Sequence, residues 1–170
     1  PTLVEYVRGR IDVGSAVVVS PDAGRIKVAE QWGNRLGGVP LAFVHKTRDL
    51  TRPNQATANR VVGDVSGRTA VIVDDLIDTA GTICGAVRIV LEAGAKDVIV
   101  AATHGVLSDP ATQRLRESGL RELVVTDTLP IGPEKRFPAM TVLPIAPVLA
   151  RAIDEVFEDG SVTSLFDGAY

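Results

Sequence analysis

Short aliphatic runs recur along the chain, and they restrict its fold more than any other feature. Residues 16–20 (AVVVS), 40–44 (PLAFV), 69–73 (TAVIV), 97–102 (DVIVAA) and 122–126 (ELVVT) are rich in β-branched side chains. A run that is apolar at successive positions must be covered on both faces, as strands of a parallel sheet are. Between the runs the pattern changes. Residues 23–36 carry Ile26, Val28, Ala29, Trp32 and Leu36 at mostly three- and four-residue steps, followed by Gly37 and Gly38. That is an amphipathic helix with a glycine stop. Residues 81–93 read as a helix ended by Gly94, 110–118 as a helix with proline in its first turn, and 144–157 as the last helix. Residues 60–64 and 140–143 read as short strands, 45–58 as a long polar loop containing Pro53, and 158–170 as a tail. The alternation predicts one α/β domain with a mainly parallel sheet and helices on both faces. Ligands of such sheets sit beyond the carboxyl ends of the strands, where the strand order reverses.

Composition agrees with this fold. Aromatic residues are only 4% of 170, so Val, Ile, Leu and Ala must build the core. Lys and Arg total 18 against 21 Asp and Glu, a net charge of −3, which argues against general nucleic-acid binding. The single cysteine, Cys84, excludes an intrachain disulfide and is expected to pack as a small hydrophobe. No apolar run approaches the ~20 residues of a membrane span. No signal peptide is visible at the start, so a cytoplasmic protein is the default expectation.

Residues 71–82 (VIVDDLIDTAGT) carry the most chemistry. An apolar strand delivers Asp74 and Asp75 at its carboxyl end, and a turn with Asp78, Thr79, Ala80, Gly81 and Thr82 leads into a helix. Gly81 allows close backbone approach, and the helix start directs free N–H groups at the same point. Together these outline a phosphate cradle. Carboxylates repel phosphate, so the acids should face sugar hydroxyls instead, with a divalent cation to offset charge. The plainer alternative makes Asp78 or Thr79 an N-cap. A cap accounts for one residue, not for three acids, two threonines and a glycine within nine positions.

Other candidates stay open on residue chemistry alone. Asp22, between a strand and a helix, is either a cap or a metal-associated carboxylate. His45, Lys46, Arg48 and Arg52 gather positive charge where a strand ends. That loop is either a solvated surface or a lid. His104, at the end of a strand before Gly105, reads as a hydrogen-bonded structural residue rather than a ligand contact. No His, Cys and Asp spacing matches a zinc site.

The segment VIVDDLIDTAGT resembles the ribose-phosphate motif of the type I phosphoribosyltransferase fold, and within it the ribose-phosphate diphosphokinases (PRPP synthetases). Ser20-Pro21-Asp22-Ala23-Gly24 is similar to that family's pyrophosphate loop, with Arg25 where a second glycine is usual. Lys46-Thr47-Arg48 falls at the Lys-x-Arg catalytic loop, Ala102 to Ser108 at an ATHPVLS stretch, and Val125 to Thr128 at a VTDT segment. The resemblance implies a synthetase that makes 5-phosphoribosyl 1-diphosphate and AMP from ATP and ribose 5-phosphate. It implies Lys46 and Arg48 as catalytic residues, Asp74, Asp75 and Asp78 to Thr82 (with Thr79, Ala80 and Gly81) on ribose 5-phosphate, and Asp22 near Mg2+. It also implies a homo-oligomer, with Ser161, Val162 and Thr163 bordering a phosphate or ADP regulatory site. Neither nucleic acid nor membrane is an expected partner. The matched motifs cover only the carboxyl-terminal half of such an enzyme. With no initiator Met before Pro1, an excised and inactive half is the expectation. A phosphoribosyltransferase that consumes PRPP, or a non-catalytic regulatory subunit of this fold, are the alternatives.

Overall fold

A computed structural model describes residues 1–47 and 58–166. Seven strands form one sheet: β1 (Ala16–Ser20), β2 (Leu41–Thr47), β3 (Ala58–Val62), β4 (Thr69–Ile77), β5 (Asp97–Gly105), β6 (Glu122–Thr126) and β7 (Met140–Leu143). Their order is β3-β2-β1-β4-β5-β6-β7, parallel throughout except for antiparallel β2–β3. The chain runs outward from β1 in one direction, then restarts at β4 and runs outward in the other. The reversal therefore lies between β1 and β4, where ligands of such sheets bind.

The aliphatic runs are buried on both faces, as their continuity requires. Val18, Val71, Val73, Ile99 and Ala101 face α1 (Thr2–Arg8) and α2 (Ile26–Arg35), in a cluster with Val4, Val7 and Ala29. The alternate residues Val17, Val19, Ile72 and Val100 face the other way. There they pack with Ile83, Val87 and Val90 of α3 (Gly81–Glu92) and Leu115 of α4 (Ala111–Glu117). Side chains alternate across a strand, so successive valines feed two separate cores. Burial of each such side chain contributes about 1.5–3 kcal/mol.

Several elements differ from their predicted bounds. β4 continues four residues past Val73 because β5 pairs with it through Asp74↔Ala102, Leu76↔His104 and Ile77↔Gly105. The ladder runs on after the helices stop covering it, so polar residues occupy true strand positions. For the same reason β2 runs through Lys46 and Thr47, which pair with Asn59 and Ala58 of β3, rather than opening a loop at His45. The helix predicted over 23–36 is a 3-10 turn, Ala23–Arg25, followed by α2. Gly33 in α2 is required by close approach, since a Cβ there would meet the Val39 carbonyl oxygen at 2.6 Å. The first helix, α1, had no sequence expectation at all; only Val4 and Val7 of it are buried. The last helix, α5 (Ala146–Phe157), leaves Leu149, Ile153, Val156 and Phe157 more than half exposed. No described helix is long and apolar enough to cross a membrane.

Candidate functional site

A cavity of about 430 Å3 opens at the strand-order reversal, lined by Asp22 and Arg25 after β1 and by residues 74–83 of β4 and α3. Each lining segment follows from the fold. β1 ends in Ser20, whose buried hydroxyl donates to the Asp22 carbonyl at 2.6 Å and turns the chain. The Gly24 N–H donates to Asp22 Oδ1 at 2.8 Å, so Asp22 does cap the following 3-10 turn. Capping and a cavity position coexist here, because a carboxylate has two oxygens.

Asp74 and Asp75 stand side by side on β4 with different environments. The Asp74 side chain is 13% exposed and that of Asp75 is 52% exposed. The Asp75 N–H donates to Asp74 Oδ1 at 2.8 Å. Burial, reinforced by the neighbouring Asp75 carboxyl, raises Asp74 to a pKa of about 6. Partial burial works the same way on Asp75. There, however, a hydrogen bond with the Asp74 side chain and the Arg25 charge outweigh it, and Asp75 stays below the usual carboxylate range. Arg25 Nη2 donates to Asp75 Oδ2 at 2.7 Å, and its Nε lies 3.5 Å from Asp74 Oδ1.

The turn that follows has an open helix start. The N-cap of α3 is Ala80, with φ 60° and ψ 8°, and no side chain caps it. The plainer alternative, in which Asp78 or Thr79 is the N-cap, is therefore not what forms. A left-handed alanine costs about 1–2 kcal/mol, and neighbouring bonds hold it in place. The Cys84 N–H donates to the Ala80 carbonyl at 2.9 Å, and Arg114 of α4 donates from Nη1 to the Thr79 carbonyl at 3.0 Å. A trans peptide points its N–H opposite its C=O, so Arg114 also orients the Ala80 N–H. Asp78, Thr79, Gly81 and Thr82 are exposed at the cavity, while Ala80 is buried. The uncapped N–H groups and two hydroxyls can hold an anion, and the paired acids can accept from hydroxyls.

The structure brings Asp22, Asp74, Asp75 and residues 78–82 to one cavity. Lys46 lies on β2 past the point where β1 ends opposite Phe43. Arg48 and Arg52 lie outside the described residues. Ser161, Val162 and Thr163 sit after α5, where the Ser161 and Thr163 hydroxyls bond each other, and they do not line the cavity. His104 Nδ1 lies 2.8 Å from the Thr128 hydroxyl, in keeping with a structural role. Burial pushes the Cys84 thiol up, as suits a packing residue. No group of three metal-ligating side chains occurs among the described residues. The donor set fits Mg2+ held through one carboxylate with substrate phosphates completing its shell, which is a common arrangement for that ion. Sequence reasoning missed Arg114, which belongs to no local motif and reaches the turn from 35 residues away.

Known proteins resemble this chain in sequence and in fold. A relative from Bifidobacterium longum named ribose-phosphate pyrophosphokinase is 66% identical over 169 residues, covering 98% of this chain and 50% of that protein. The crystal structure of phosphoribosylpyrophosphate synthetase from Mycobacterium smegmatis superposes with a TM-score of 0.82 at 60% identity, over 93% of this chain and 50% of that one. This chain thus spans about half the length of the curated relatives it matches. An orotate phosphoribosyltransferase from Aeropyrum pernix, 18% identical with a TM-score of 0.56 over 88% of this chain and 71% of that one, shares the fold alone. A sequence model of the family described as the phosphoribosyl synthetase-associated domain matches residues 44–167. With most of its length inside that match, the chain belongs to the phosphoribosyl synthetase-associated domain family.

Proposed function

We propose that this chain is the carboxyl-terminal half of a ribose-phosphate diphosphokinase, which converts ATP and D-ribose 5-phosphate to 5-phosphoribosyl 1-diphosphate and AMP. One observation carries the reading: an uncapped helix start and a pair of strand-end acids share a single cavity at the strand-order reversal. The 5-phosphate sits against the N–H groups and hydroxyls of residues 78–82. Asp74 and Asp75 accept hydrogen bonds from the ribose hydroxyls and so fix the sugar. The ribose 1-hydroxyl oxygen then bonds to the β-phosphorus of ATP as the α,β-bridging bond breaks and AMP leaves. Lys46 and Arg48 meet the charge that grows on the transferring oxygens. Asp22 helps hold Mg2+, which when bound offsets phosphate charge. Homo-oligomerisation, cytoplasmic location and an anion-responsive segment at Ser161, Val162 and Thr163 belong to the same proposal, on family resemblance.

The test uses the full-length protein. Lys46→Ala is expected to cut AMP release on the order of 100-fold or more, the size typical of a lost charge-stabilising donor. Ribose 5-phosphate affinity should stay nearly unchanged. Near-normal AMP release from the variant would sink the assignment.

A further inference from the structure

The cavity already contains a cation supplied by the chain itself. Among the described residues that line it, Arg25 is the one Lys or Arg. Its side chain is 40% exposed and reaches across the reversal to the carboxylates of β4. Nη2 donates to Asp75 Oδ2 at 2.7 Å and Nε approaches Asp74 Oδ1 at 3.5 Å. These are the acids to which the proposed function gives the ribose hydroxyls, and the inference rests on that reading. A sugar diol and a guanidinium fork both offer two donors at similar spacing to the same acceptors. The Asp75 oxygen that Arg25 occupies is a poorer acceptor for the sugar while that bond lasts. We infer that Arg25 is a resident competitor of the ribose, a positioning residue that bridges Asp75 and Asp74 and gives way when the sugar docks.

Several features give this substance. Arg25 closes the 3-10 turn that Asp22 caps, so the side chain stands at a fixed entry to the cavity. The pair is exposed on the Asp75 side, and exposed pairs are weak and screened by water. It is therefore a contact that a substrate can break. The competition raises the threshold for the pentose without touching the phosphate cradle, since the Arg25 side chain bonds to Asp75 and approaches Asp74 but bonds to none of residues 78–82.

The test separates the sugar from the phosphate. Calorimetric affinities of the full-length protein for ribose 5-phosphate and for inorganic phosphate are compared in wild type, Arg25→Gly and Arg25→Lys. The ratio of the two affinities cancels the general loss of a positive charge. In Arg25→Gly the ratio is expected to shift toward ribose 5-phosphate by about fivefold, the equivalent of ~1 kcal/mol of released pairing. Arg25→Lys, which keeps the charge but loses the fork, should fall between. Circular dichroism checks that each variant is folded. An unchanged ratio, or one that falls, overturns the competitor role while leaving the site in place. Wild-type chain that binds inorganic phosphate but gains nothing from the sugar overturns the ribose assignment of Asp74 and Asp75, and the competitor with it.

Discussion

At the residue scale, Asp74 shows what the site costs the fold. Its carboxyl is mostly buried beside another carboxyl, and its pKa rises from 3.8 to about 6. The folded chain thus holds this proton more tightly than the unfolded chain does. The associated stability is fully present below pH 3.8 and is lost as pH rises through about 6. Asp74→Asn removes the ionisable group while keeping an oxygen for the Asp75 N–H. The variant should match wild type near pH 4 and exceed its stability at pH 8 by about 1–3 kcal/mol, while losing ribose 5-phosphate affinity. Urea unfolding at the two pH values reads the difference; a gap independent of pH would contradict it. The residue types of this site were legible in VIVDDLIDTAGT, because few other roles need that density of acids and hydroxyls. The partners of Arg25 and Arg114 were not, since each bond spans 35 to 50 residues and depends on how elements cross.

At the element scale, continuous aliphatic runs were the most legible feature. Ala16–Ser20 and Glu122–Thr126 form at their expected bounds because hydrophobic burial and hydrogen-bonded pairing start and stop together there. β4 outran its hydrophobic run because pairing with β5 continues into the cavity wall, beyond any helix cover. α1 was invisible because a seven-residue helix shows too little periodicity. Glycines divide along the same line between packing and local conformation. Gly33 lies against the Val39 carbonyl, whereas a Cβ on Gly85, within α3, would meet nothing within 4 Å. Gly33→Ala is expected to cost about 1–3 kcal/mol through overpacking. Gly85→Ala should instead stabilise by roughly 0.5–1 kcal/mol through helix propensity. Thermal unfolding of the two variants checks both signs, and shifts in the same direction would refute the packing argument.

At the scale of the whole molecule, the faces of the sheet and the carboxyl ends of its strands have different tasks. Both faces are filled by alternate residues of the same strands, which makes the sheet a rigid platform. The carboxyl ends of β1 and β4 then carry the exposed chemistry on short turns. That division is why the fold class could be read from a hydrophobic pattern, while the site needed a motif. The cavity lies within a chain that spans about half the length of the curated relatives it matches. The central claim is that this cavity receives ribose 5-phosphate through β4 and the start of α3. Titration of the ligand into isotope-labelled chain, followed by backbone amide resonances, tests it most directly. The account expects saturable shifts concentrated at Asp74, Asp75 and residues 78–82, with Arg25 responding. Saturable shifts centred elsewhere, or none at millimolar ligand, would contradict it.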